Sequence, residues 1–262
     1  KVRDTLVKRI AKKAGDMNDK RNERRGGFYW LDGKPYVSVT NVLRAIDKPA
    51  LRRWVGKEGY LAMVKTPTLS EAEALGAPYK ASDKAKARGT TIHSIVEAYK
   101  KEGIKISPEL EQFKGYAQAF HKWVGDYEMH ILENEKTIVS RKERYAGTCD
   151  LLLRNYGRSI KDDKTGKFSK RTPNIWLVDV KTGKDIYDEA FLQLSAYKHA
   201  LEENGEKVDR AGVLLLQENG NYKFAESEDY FDYFLATKKL WQFLNREDCK
   251  KIGYESSQAL SG

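Results

Sequence analysis

Residues 174–182 read Asn174-Ile-Trp-Leu-Val-Asp-Val-Lys-Thr182, and the alternation within that stretch decides how the chain is built. Extended backbone turns successive side chains to opposite faces. Ile175, Leu177, Asp179 and Lys181 then share one face, and Trp176, Val178 and Val180 take the other. An acid and an amine point the same way at the end of an apolar strand. A carboxylate in such surroundings is costly unless a cation or a metal compensates it. The tripeptide Asp-x-Lys is uninformative alone, since it occurs four times, starting at Asp32, Asp162, Asp179 and Asp248. Only Asp179–Lys181 lies in an apolar strand with a second acid in a neighbouring strand.

That second acid is Asp150, in Tyr145-Ala-Gly-Thr-Cys-Asp-Leu-Leu-Leu153. Three leucines follow it, and Gly147 lets the backbone bend or approach closely just before it. Two carboxylates converging from adjacent strands make a hard-oxygen site suited to Mg2+ or Mn2+. A buried ion pair of Lys181 with either acid, without metal, is the competing reading.

Outward from these two strands, periodicity predicts a third at 136–141, a fourth at 210–217 and a fifth at 222–225. Residues 188–204 read as a helix ended by Gly205, and 227–245 as the last helix. The aromatics of that last helix read as core packing rather than as a platform for stacked bases. Upstream, Asp32-Gly33-Lys34-Pro35 marks the turn of a β-hairpin over 28–40, and Thr40 caps a short helix through Ile46. Pro49 suits the first turn of a helix over 49–65, and a short helical segment follows at 68–75. Gly89 reads as the start of a helix carrying Ile92, Ile95, Val96 and Tyr99 on one side and stopping at Gly103. A longer amphipathic helix is expected over 108–133, and a frayed tail from Lys250. The fold class is therefore α/β (α+β), a mixed sheet flanked by helices with an N-terminal helical extension. The expected divisions are a basic arm at 1–27, a hairpin and helical region at 28–133, a core at 134–249 and a tail at 250–262.

The 262 residues are 40% hydrophobic and 33% charged, with a net charge of +10. The excess is concentrated. Residues 1–25 hold ten Lys/Arg against four acids, and 154–174 hold seven against two. Two concentrated basic patches suit a polyanion. The second supplies candidate nucleic-acid contacts at Arg158, Lys161, Lys164, Lys167, Lys170 and Arg171. No apolar run approaches the roughly 20 residues of a membrane span, so a cytoplasmic protein without a membrane partner is expected. Cys149 and Cys249 are too few for a disulfide framework, a four-cysteine zinc site or an iron–sulfur cluster. No phosphate-binding Gly-x-x-x-x-Gly-Lys loop appears, so no nucleotide cofactor is expected.

In order and spacing, Gly89-x-x-x-His93, Glu143, Gly147-x-x-Asp150, Asp179-x-Lys181 and Gln193-x-x-x-Tyr197 resemble the motifs of the PD-(D/E)XK nucleases. The likeness runs from about residue 89 to residue 216, and Val37-Ser-Val-Thr-Asn-Val-Leu43 is similar to the opening of stand-alone members. It is nearest the branch of RecB-type nuclease domains, CRISPR-associated adaptation nucleases and small phage or mitochondrial exonucleases. With two cysteines, the chain resembles the members without an iron–sulfur cluster.

The resemblance implies a restriction-endonuclease-like core and a Mg2+- or Mn2+-dependent deoxyribonuclease of phage or bacterial recombination or repair. It implies an exonuclease sooner than an endonuclease, leaving 5′-phosphate and 3′-hydroxyl ends. It implies Asp150 and Asp179 as metal ligands with His93 and the Val180 carbonyl, and Lys181 as the group that places the attacking water. Gln193 and Tyr197, one helical turn apart, and Glu143 would support the site. Read without the family, His93 is an ordinary helix-face histidine paired with Glu97, and Gln193 and Tyr197 are helix packing. The expected partners are DNA and, through the pathway, a single-strand-binding or recombination protein. A catalytically silent DNA-binding accessory protein and a structure-specific endonuclease are the alternatives.

Overall fold

The computed structural model describes residues 22–99, 108–156 and 173–254. Its centre is one eight-stranded mixed sheet covered by helices on both faces, the α/β class and restriction-endonuclease-like arrangement expected. The strands are β1 (Asn22–Arg25), β2 (Phe28–Leu31), β3 (Lys34–Ser38), β4 (Met129–Ser140), β5 (Tyr145–Asn155), β6 (Asn174–Lys181), β7 (Arg210–Leu216) and β8 (Tyr222–Glu226). The α-helices are α1 (Val39–Val42), α2 (Pro49–Lys65), α3 (Glu71–Glu97), α4 (Lys114–Asp126), α5 (Asp188–Glu203), α6 (Phe231–Leu244) and α7 (Arg246–Lys251). The sheet order is β1-β2-β3-β5-β6-β7-β8, with β4 paired to the other edge of β5.

Two tight turns build the N-terminal meander. Gly26-Gly27 joins β1 to β2, and Asp32-Gly33 joins β2 to β3, all four residues at positive φ. That is the backbone a two-residue hairpin needs, and Gly-Gly and Asp-Gly supply it cheaply. The expected hairpin is therefore present, and it gains a strand: residues 22–25, assigned from sequence to the basic arm, pair with β2. β3 then runs parallel to β5 through Val37↔Tyr145 and Ser38↔Ala146, so the meander extends the central sheet.

Apolar residues alternate across β6 as its sequence dictates. Ile175 and Leu177 pack under α5 and α6 with Leu194, Tyr197, Phe234 and Trp241. Trp176, Val178 and Val180 pack on the other face beneath α3 and α4, with Ile92, Phe120 and Trp123. Each face thus has its own core, and β5 and β6 are sealed between them.

Three expectations change. Residues 68–75 and the helix expected from Gly89 are parts of one 27-residue helix, α3. Ser70 caps it and Glu73 returns the bond to the Ser70 N–H, a capping box that starts the helix well before Gly89. The helix ends at Glu97, with Ala98 as its cap, before the stop expected at Gly103. The helix expected over 108–133 is a 3-10 turn (Pro108–Phe113) followed by α4, which ends at Asp126. Glu128, at φ +49, turns the chain, and Met129 begins a strand whose Met129 and Ile131 join the α4-side core. Residues 251–254 are anchored rather than frayed, by Tyr254, which is buried edge-on against Phe28 and Trp241 and donates to the Arg144 carbonyl at 3.0 Å, while the rest of the expected tail lies outside the described residues. Among the described residues no helix is long and apolar enough to cross a membrane.

Candidate active site

The site forms where β5 changes partners. Ala146 is the last β5 residue paired with β3, and Leu151 the first paired with β6. Beyond Val178, β6 parts from β5 and pairs on through Lys181 with β7 alone. The alternation of β5 slips at the same place: Cys149 faces the α5-side core and Leu151 the α4-side core. Asp150 sits at that slip. Its Oδ2 accepts the Val180 N–H at 2.7 Å, replacing the ladder bond lost where the strands separate.

Val180 is engaged at its other backbone group as well. His93, near the C-terminal end of α3, places Nε2 at 3.1 Å from the Val180 oxygen. Its Nδ1 lies 3.5 Å from Asp150 Oδ1 and 3.6 Å from Glu135 Oε1. The partner that sequence suggested for His93, Glu97, is replaced by these two carboxylates. Both ring nitrogens face acceptors, so the protonated imidazole is favoured. Burial lowers its pKa, but the hydrogen bond it donates to Glu135 and the charges of Asp150, Glu135 and Asp179 reverse this and leave it above the ordinary value.

Glu135 was not singled out from the sequence. It lies on β4 between Asn134, paired with Leu151, and Lys136, paired with Cys149, so it stands across from Asp150. Its φ is +50, left-handed backbone in the middle of a 12-residue strand. For a residue with a Cβ this costs about 1 kcal/mol or more. Glu133, Asn134 and Lys136 are polar neighbours with nothing to set Glu135 apart, so only the cross-strand geometry could reveal it.

Asp179 and Lys181 lie on the α5 face, as alternation demands. Asp179 is 2% exposed. Gln193 donates to its Oδ1 at 2.9 Å from the first turns of α5. Lys181 Nζ stands 2.6 Å from Oδ2, yet that buried oxygen receives no well-directed hydrogen bond. The ion pair of the metal-free reading is therefore present at Asp179. Burial pulls the Lys181 ammonium down, and Asp179 and Asp150 more than reverse this, so its pKa lies above the ordinary lysine value. Asp150 is pushed up to about 7, first by burial and then by the charge of Asp179.

Tyr197 is buried one turn after Gln193, and its ring lies against Gly147: a Cβ there would come within 2.3 Å of it. Burial, reinforced by Asp179, holds its phenol well above the ordinary tyrosine range, so it is neutral. Lys48, just before α2, pairs with Glu189 at 2.8 Å, and the charge of Glu189 reaches Lys181.

Glu143 is not brought to this cluster. It occupies the β4–β5 turn and accepts from the buried Lys238 of α6 at 3.4 Å. Five strand residues, roughly 16 Å, separate the start of β5 from Asp150. Arg158, Lys161, Lys164, Lys167, Lys170 and Arg171 lie outside the described residues.

Two carboxylates, Glu135 and Asp150, thus stand around His93, and a third, Asp179, pairs with Lys181. With the imidazole neutral, as ligation requires, the group carries a formal charge of −2. The concentration of carboxylates and the hard oxygen and imidazole donors fit a divalent cation such as Mg2+ or Mn2+. The nearest donor set, His93, Glu135 and Asp150, presents one ligand atom each within 4.8 Å of one another.

No family model matches the chain, and no curated protein sequence does. Among solved structures it is similar to SSO0001, at 12% identity and a TM-score of 0.38, over 93% of this chain and 86% of that one. It is similar to an alkaline exonuclease, LHK-Exo, from Laribacter hongkongensis, at 12% identity and a TM-score of 0.32, over 84% of this chain and 95% of that one. LHK-Exo in complex with dAMP gives 12% identity and a TM-score of 0.34, over 82% and 94%.

Proposed function

We propose that this chain is a divalent-cation-dependent deoxyribonuclease of the PD-(D/E)XK type, of the branch without an iron–sulfur cluster. One observation carries the proposal: Asp150 and Asp179, from strands that part at that point, converge with Lys181 and His93 on a single cluster. In this reading Asp150, Asp179 and His93 hold the cation, with the Val180 carbonyl beside them. One lone pair of that carbonyl is already engaged by His93. Bound there, Mg2+ or Mn2+ would neutralise phosphate oxygens and lower the pKa of an attacking water.

The chain's own groups do the rest. Gln193 fixes Asp179 Oδ1, so the carboxylate cannot rotate away from the cluster. Lys181 stays cationic, held by Asp179, so it positions water and stabilises negative charge rather than acting as a neutral amine base. Tyr197, neutral and wedged on Gly147, sets the distance between α5 and β5. Water attacking phosphorus in line with the P–O3′ bond would expel the 3′ oxygen, which takes up a proton, and leave 5′-phosphate and 3′-hydroxyl ends. The two basic segments, 1–25 and 154–174, suit a DNA backbone, and attack on free ends, in recombination or repair of phage or bacterial type, is the favoured mode.

The test is digestion of end-labelled linear DNA beside closed circular DNA, with Mg2+, Mn2+ or EDTA. Linear DNA is expected to be degraded with either cation, the circle to survive, and EDTA or Asp179→Ala to abolish the reaction. Undiminished degradation by Asp179→Ala overturns the assignment of this site. Cutting of the circle overturns the exonuclease mode, and RNA cut in preference to DNA overturns the substrate.

A further inference from the structure

We propose that Glu135 is itself a ligand of the divalent cation, completing with His93 Nδ1 and Asp150 Oδ1 a three-donor face that no sequence motif marks. The inference rests on the nuclease reading above and adds a residue to its metal site.

Three observations support it. The first is the orientation of His93. The Val180 oxygen can only accept, so Nε2, 3.1 Å away, carries a proton there. A ring whose one N–H is held by a backbone carbonyl presents its other nitrogen as the donor, the arrangement that metal-binding histidines use. The nitrogen so presented is Nδ1, and it faces Glu135 and Asp150.

The second is spacing. Nδ1 stands 3.6 Å from Glu135 Oε1 and 3.5 Å from Asp150 Oδ1. Ligands on one cation with bonds of about 2.1 Å stand about 3.0 Å apart at right angles and about 3.4 Å apart in a tetrahedron. The three donors come from α3, β4 and β5; the two His93 separations need only a few tenths of an ångström of contraction, and all three ligand atoms already lie within 4.8 Å of one another.

The third is the backbone. Glu135 holds φ +50 inside a strand whose neighbours Asn134 and Lys136 are both paired with β5, shortly after a register shift between Ile131 and Glu133. Glycine or asparagine takes that conformation more readily, yet neither carries a carboxylate that reaches this far. Strain of this kind concentrates at ligand-holding positions.

Isothermal titration of the full chain with Mn2+ tests the assignment in Glu135→Gln and Glu135→Gly. The first keeps size and an acceptor oxygen but loses the charge; the second removes the side chain and relieves the backbone. Each is expected to weaken Mn2+ binding at least tenfold relative to wild type. Wild-type affinity in either folded variant overturns the role of Glu135, and if one variant does not fold the other decides. A wild-type chain that binds no Mn2+ overturns this proposal together with the nuclease reading. Binding that Asp150→Asn weakens and the Glu135 variants do not would overturn this proposal alone.

Discussion

The Asp150 carboxylate accepts the Val180 N–H at 2.7 Å across the gap where β5 and β6 separate. This bond joins the two halves of the site: it holds one acid by the backbone of the strand that bears the other acid and the lysine. It also gives Asp150 a structural task that an uncharged side chain can take over.

Asp150→Asn is accordingly expected to fold. Its amide oxygen can accept from Val180, and one of two crowded, buried charges is gone. The metal-free melting temperature at pH 8 should rise by a few degrees, on the order of 1–2 kcal/mol, while Mg2+-dependent cleavage falls at least a thousandfold. Calorimetry beside the end-labelled assay checks both. A fall in melting temperature with retained cleavage would mean that Asp150 is structural.

The pH dependence has a definite sign. Asp150 has a folded pKa of about 7, above its ordinary value, so its contribution is most favourable below about pH 4 and is lost as pH rises towards 7. His93 is also raised: its contribution is full below its unfolded value, near 6.5, and is lost as pH climbs through the higher folded value. Both groups therefore destabilise the metal-free site as pH rises. A cation that replaces those protons should raise the melting temperature more at pH 8 than at pH 6. Melting curves in EDTA and in Mn2+ at the two pH values measure this; an equal increment at both would contradict the assignment.

Lys181→Met separates binding from turnover. The ammonium occupies Asp179 Oδ2 at 2.6 Å, where it competes with a cation. Its removal should leave Mn2+ affinity unchanged or tighter while the cleavage rate drops by a factor on the order of 1,000. Titration calorimetry and single-turnover kinetics distinguish the two effects, and full turnover in this variant would exclude Lys181 from the chemistry.

Gly147→Ala tests the packing behind the site. The new methyl group would meet the Tyr197 ring at 2.3 Å, and neither β5 nor the buried ring has room to yield. A loss of about 2–3 kcal/mol is expected, read by urea denaturation. Tyr197→Phe in the same chain should not relieve it, because the ring edge makes the nearest contact; Tyr197→Leu should relieve part.

Which residues were legible beforehand follows from the range of the interactions. Asp179, Lys181, Gln193 and Tyr197 are placed by short periods, two residues in a strand and four in a helix, so local alternation suffices to set their faces. Gly89 misled because glycine reads as a break, whereas the Ser70–Glu73 capping box and the helix-forming residues after it carry α3 straight through. The helix expected to run to residue 133 failed similarly. Val124, Tyr127 and Ile131 fit a helical period, but the left-handed Glu128 ends the helix between them.

From residue order alone came the apolar strands, the acid and amine sharing one face of β6, the odd carboxylate before three leucines, and the lack of cysteines for a cluster. Each depends on neighbours a few positions away. Tertiary structure alone decided that Glu135 faces Asp150 and that Glu143 belongs to Lys238. It also decided that His93 reaches across to Val180 from a helix 87 residues away. Those contacts depend on strand register and on where α3 crosses the sheet. Both are settled by burying two cores at once, a balance summed over the whole chain that no local pattern encodes.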